Sequence, residues 1–142
     1  MRRELTLTEA AIDEAALTRG RVASPGMGAA VTFAGVVRGA EEGAAITAID
    51  YEAFRPMAER QFHLLFDGLA ERWPAVESVR LVHRLGVVAV GEASLWVEVV
   101  APHRAEAFAA CQWLIDGMKR VVPIWKRPVD RAAAHVVAVV GC

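Results

Sequence analysis

Residues Ala101 to Pro128 read APHRAEAFAACQWLIDGMKRVVPIWKRP. Ala107, Phe108, Cys111, Leu114, Ile115, Met118 and Val122 recur there at steps of three and four, which predicts a helix with one buried face. Pro102 and His103 mark its entry. Pro123 ends it, because a proline has no N–H to donate and clashes with the preceding turn. Ile124-Trp125-Lys126 then reads as a strand. The stretch also holds the only two lysines of the chain, Lys119 and Lys126, although lysine and arginine together number 16. Arginine stays protonated under ordinary conditions, whereas a lysine amine desolvated beside other cations can act as a neutral nucleophile or base. Lys119 lies off the centre of the apolar stripe, with Gln112 and Asp116 at helical steps before it. The two amines are therefore expected on different elements that meet near a helix end. His103 and Arg104 begin the opposite end, where free backbone N–H groups and the positive dipole end favour an anion.

Working back toward the N-terminus, Glu92–Ala101 and Ser78–Leu85 read as strands joined through Gly86–Gly91. Before them, Arg55 and Pro56 start a helix whose apolar positions Ala58, Phe62, Leu65, Phe66, Leu69 and Trp73 share one face, with Pro74 as its stop. His63 on this helix reads as a surface or boundary residue. Ile46–Phe54 is a strand expected to pair with Ala29–Arg38, AAVTFAGVVR, across the polar turn GAEEG at Gly39–Gly43. Gly35 inside that run signals a bulge or a close approach. Leu5–Leu7 reads as a short strand, and Thr8 as the cap of a helix through Glu9, Ile12, Asp13, Ala16 and Leu17 that Gly20 stops. Downstream, Ala132–Val140 reads as a closing strand with His135 at its edge. Hairpins alternating with helices give an α+β fold, a mostly antiparallel sheet with helices packed on it.

With 142 residues, the chain is expected to be a single domain, residues 1–142. Its 55% hydrophobic against 23% charged residues excludes disorder and points to apolar surface covered by a partner. A net charge of −1 gives no reason to expect nonspecific nucleic-acid binding. Apolar strands with little charge to guard an edge favour a homodimer. Two cysteines make no disulfide framework; Cys111 falls on the apolar helix face and Cys142 is the last residue. The absence of a signal-like or membrane-length apolar run leads to the expectation of a cytoplasmic protein that binds no membrane. His63, His83, His103 and His135 have no ligand spacing with the cysteines, so neither a metal nor a cofactor is expected. No GxxxxGK, GxGxxG or GxSxG motif occurs.

What remains is a cationic set: Arg38, His103, Arg104, Lys119, Lys126 and Arg127. It suits a phosphate or carboxylate on a small molecule, with an amine available for nucleophilic or proton-transfer work. The competing reading leaves these charges scattered at solvated element ends, and Arg38 by its position alone reads that way.

The segments VTFAGVVRG (31–39), IDYEAFRPMAE (49–59), VHRLG (82–86) and VGEASLWVEVVAPHRAEAFAACQWLIDGMKRVVPIWKR (90–127) together resemble the MoaE family, the large, catalytic subunits of molybdopterin synthase. The specific part is His-Arg before the helix, Asp-x-x-Lys near its end and Pro-x-Trp-Lys just after, in that order. The resemblance implies an α/β hammerhead fold and a sulfurtransferase that converts cyclic pyranopterin monophosphate into molybdopterin by installing the dithiolene sulfurs. It implies that sulfur arrives as a thiocarboxylate on the Gly-Gly tail of a small ubiquitin-like subunit, within a heterotetramer built around a homodimer of large subunits. By the same resemblance Lys119 and Lys126 are the catalytic lysines. Val36, Val37, Arg38, His103, Arg104, Arg127 and Pro128 bind substrate with them, around one anion-binding cavity open to the visiting tail. Pro128 stands where the family commonly has an acidic residue, and Val36 where it often has lysine. The alternative to the enzyme is a dimeric module that binds a phosphorylated metabolite without chemistry.

Overall fold

The computed structural model describes residues 1–130 and 139–140. Its elements run β1 (Arg2–Thr8), α1 (Glu14–Arg19), β2 (Ala29–Val36), β3 (Ala40–Glu41), β4 (Ala44–Ala53) and α2 (Arg55–Arg72). They continue with β5 (Ser78–Arg84), β6 (Gly86–Ala89), β7 (Ala93–Ala101), α3 (Arg104–Val121), β8 (Ile124–Asp130) and β9 (Val139–Val140). Among the described residues these strands build a four-stranded sheet in the order β1-β5-β7-β2 and a second sheet in the order β3-β4-β8-β9, with β6 also paired to β4. β1 and β5 are parallel and the other pairs antiparallel, so the α+β expectation holds.

The two central strands of the first sheet are covered on both faces, so β5 and β7 are buried almost without a break although β5 carries Arg80, His83 and Arg84. Val79, Leu81, Val97 and Val99 face the main core with Phe62, Phe66, Leu69 and Leu114 from α2 and α3. Each fully buried side chain of this size contributes about 1.5–3 kcal/mol. The alternate β7 residues Trp96 and Glu98 point to the other face and are also buried, 2% and 1% exposed. There the segment around α1 is pinned by ion pairs. Arg21 Nε donates to Glu98 Oε2 at 2.7 Å, and Arg80 Nε donates to Glu98 Oε1 at 2.9 Å. Arg80 also donates to the Leu17 carbonyl at 2.7 Å and lies over the Trp96 ring.

α2 starts with a proline in its first turn, where the missing N–H costs nothing. It buries Ala58, Phe62, Leu65, Phe66 and Leu69 as the periodicity predicts. α3 opens with the Glu106 carboxylate accepting the His103 backbone N–H at 3.0 Å and closes with Lys119 and Arg120 in its last turn, both favourable to the helix dipole. The two helices meet at glycines. A Cβ on Gly117 would come within 2.7 Å of Leu65 Cδ2, and one on Gly68 within 2.9 Å of the Trp113 ring.

Four expectations are corrected. β2 pairs with β7, Ala29 opposite Ala101, and not with β4, which belongs to the second sheet and pairs with β8. Gly86–Gly91 is more than a connection, since Val88 is fully buried and the segment adds β6 to β4. α1 is capped by Asp13, whose side chain accepts from the Ala16 N–H at 3.0 Å; Thr8 is still in β1, opposite Arg84, and its hydroxyl accepts from Ala10 N–H in a local turn. Phe108 has the helical spacing of the core stripe but is 62% exposed, because Ala107, Ala110 and Cys111 take the contact with the sheet. Of the expected closing strand, Val139 and Val140 pair with Lys126 and Trp125, and the remainder, with His135, lies outside the described residues, as does Cys142.

Candidate active site

The seam between the two sheets, closed on one side by the end of α3, holds a cavity of about 350 Å³. β2 breaks register between Gly35 and Val36, so the glycine expected to mark a bulge does so at the cavity wall. Past the bulge the backbone still pairs, with Val37 N–H donating to the Glu92 carbonyl at 3.0 Å. Arg38 is thus carried to the rim by a held strand, though its side chain is largely in solvent.

α3 brings Lys119, and β8 brings Lys126, into this same cavity. The Pro123 corner turns the chain from helix to strand, so amines close in sequence approach from different elements. Lys126 Nζ donates to Glu41 Oε1 at 2.5 Å, and the other Glu41 oxygen lies 3.9 Å from the Arg38 guanidinium. Among the described residues Lys119 has no ion pair. Behind the lysines, Tyr51 Oη donates to Ser94 Oγ at 3.2 Å and Ser94 Oγ donates to the Gly35 carbonyl at 3.4 Å, a polar floor between the sheets. Three cations against one carboxylate leave the cavity positive, able to take an anion of small-molecule size.

His83 lines the same floor, its ring edge-on to Tyr51. Nδ1 lies 2.7 Å from the Arg84 carbonyl, which fits a neutral imidazole donating there. Burial pushes its pKa down from 6.5 to about 4, against the raising effect of that hydrogen bond. As pH falls from 6.5 toward 4 the unfolded chain gains a proton that the folded chain refuses. Stability is therefore full above pH 6.5 and declines by about 3 kcal/mol over that window from this group. Urea unfolding at pH 7 and pH 4.5 should show a smaller acid loss in His83→Gln than in the parent. Equal losses would mean that other groups carry the whole acid effect. The Cys111 thiol, pushed up to about 11 by burial, stays protonated and takes no part as a nucleophile.

Val36, Val37, Arg38, Lys119 and Lys126 are thus brought together at one cavity. His103 and Arg104 are not: they stand at the other end of α3, about 22 Å from Lys119 at 1.5 Å per residue. Arg127 points to the opposite face of β8, 2.9 Å from Glu52, and Pro128 is buried in that strand opposite Ile49. Glu41, Tyr51, His83 and Ser94 escaped the sequence reading as site residues. Glu41 sits in a segment that looks like a solvated turn, and nothing local ties it to a lysine 85 residues away.

The MoaE protein family matches residues 7–121 of this chain. The molybdopterin synthase catalytic subunit of Nostoc sp. is 42% identical over 100 residues, a match that spans 70% of this chain and 61% of that protein. Molybdopterin synthase from Staphylococcus aureus superposes with a TM-score of 0.81 at 28% identity, covering 94% of this chain and 95% of that one. The fold alone is shared, at a TM-score of 0.76 and 20% identity, with a chain in the complex of subunits 1 and 2 of the molybdopterin-converting factor from Helicobacter pylori, covering 95% of this chain and 88% of that one. A match from the last residues of β1 to the end of α3, over the same helix that carries Lys119, settles the ancestry: the chain belongs to the MoaE family.

Proposed function

We propose that this protein is the catalytic subunit of a molybdopterin synthase. It transfers sulfur from the thiocarboxylated C-terminus of a small ubiquitin-like subunit to cyclic pyranopterin monophosphate, building the dithiolene. The observation that carries the proposal is the meeting of Lys119 and Lys126 in one cavity with Arg38 at its rim. Transfer from a thiocarboxylate develops negative charge on oxygen and sulfur, and fixed cations in a partly dry cavity stabilise that charge as it forms. Lys119, without a carboxylate partner among the described residues, contacts the terminal carbonyl of the tail as base or electrostatic stabiliser. Lys126 holds the substrate and the intermediate, and Arg38 anchors the phosphate. The exposed apolar side chains Phe33, Val36 and Phe108 beside the cavity give a partner chain something to cover. Among the described residues no helix is long and apolar enough to cross a membrane, and a cytoplasmic setting suits the free, buried Cys111.

His103 and Arg104 serve as substrate ligands only from a second copy, since within one chain the length of α3 separates them from the lysines. Lys119→Ala and His103→Ala/Arg104→Ala should each be inactive alone. Mixed and allowed to exchange subunits, they should recover about a quarter of parental turnover, because half of the random dimers carry one intact composite site. No recovery in exchanged dimers would put the pair outside the site. The parent tested with thiocarboxylated small subunit and pterin substrate should yield dithiolene product; binding of both without product would favour the non-catalytic module instead.

A further inference from the structure

We infer that Glu41 is a built-in counter-ion of the cavity: a positioning residue that holds the Lys126 amine in place and lowers the affinity of the resting site for simple anions. Its carboxylate is inside, with a side chain 10% exposed, against 21% for Lys126. One oxygen is 2.5 Å from Lys126 Nζ and the other 3.9 Å from Arg38. A charge-assisted contact of this kind fixes a lysine whose four-carbon stem otherwise samples many rotamers. It also places a negative charge where an incoming phosphate or carboxylate oxygen would have to sit to reach the same amine.

The mounting of Glu41 suits a group that yields. It lies on the two-residue strand β3, paired to β4 only through Ala40 with Ala45 and Glu41 with Ala44. The turn that follows runs through Glu42 at φ +50 and Gly43 at φ +80. Lys126, in contrast, is on β8, held by β4 along its length and by β9 at Lys126 itself. When an anion enters, the carboxylate therefore has the weaker anchorage of the two partners and is the one that shifts, sharing the three N–H donors of the amine with the anion while still orienting it. Lys119, which has no such counter-ion among the described residues, offers its charge at once. The two lysines are thereby given unequal readiness by a residue outside both of their elements.

The test uses the full chain with inorganic pyrophosphate as the probe. Glu41→Gln should bind pyrophosphate about tenfold more tightly by calorimetry, since a carboxylate no longer competes at close range. Glu41→Asp, which keeps the charge on a shorter stem, should stay near the parent. In the synthase reaction, a reading that rests on the proposed function, Glu41→Gln should lower kcat about tenfold while KM for the pterin stays level or falls. Unchanged pyrophosphate affinity in a Glu41→Gln protein that melts like the parent overturns the counter-ion role, whatever the kinetics. Tighter pyrophosphate binding with an unaltered kcat overturns the positioning role. If the parent makes no dithiolene product, the synthase reading fails while the pyrophosphate comparison still decides for or against Glu41 as counter-ion.

Discussion

Lys119→Ala is expected to lower the rate of dithiolene formation by about a hundred- to a ten-thousandfold at saturating partner and substrate, with little change in how tightly the small subunit binds. The size follows from position. Lys119 is in the last turn of α3, lines the cavity opposite Lys126, and has no ion pair among the described residues. Its charge is free to meet an oxyanion or thiolate as it develops, and water admitted in its place cannot be equally preorganised. Lys119→Arg keeps the charge but brings a larger, planar group that does not give up its proton, so it should recover little. Single-turnover assays with preformed thiocarboxylate separate this chemical step from partner binding. Parental rates in both variants would remove Lys119 from the chemistry. Loss of partner binding in step with the rate would move its role to docking.

The largest effect on stability is expected at Glu98. Replacing it with alanine should cost about 3–5 kcal/mol, because the change strips the close carboxylate partner from two arginines and leaves Arg80 only Glu4, at 4.0 Å. Arg21 and Arg80 both converge on this carboxylate, and Arg80 is held by Trp96 and by the Leu17 carbonyl, so it is not free to turn toward solvent. A Glu98→Ala/Arg80→Leu double variant should recover part of the loss by removing the poorly paired cation. Denaturant unfolding would check both, and a loss below about 1 kcal/mol would show that water replaces the carboxylate on that face.

The helices were legible because each records its own environment: the stripes on α2 and α3 repeat within a few turns, and Pro56, Pro74 and Pro123 punctuate them. Pairing partners were less so. A strand signal says that a segment is extended, and adjacency in sequence made β2 and β4 look like a hairpin. In the fold β2 lies against β7 and β4 against β8, contacts between segments far apart along the chain. The site divides along the same line. Lys119 and Lys126 drew notice through residue choice and a shared corner, whereas Glu41 reaches Lys126 only because β3 and β8 both attach to β4. His103 and Arg104 were expected beside the lysines because they share a helix, but a helix also sets a distance, and this one sets too great a distance.

The corner at Pro123 carries a rule of parity. Lys126 faces the cavity, while its neighbours Trp125 and Arg127 face the opposite side of β8 toward Glu52. Adding or deleting one residue between the end of α3 and β8 would turn Lys126 outward and present an indole or a guanidinium to the cavity. Two residues would restore the facing at a shifted register. Insertions in this connection are thus sorted as odd or even before they are sorted by length, and a stretch that looks like a mere bend tolerates only changes that come in pairs.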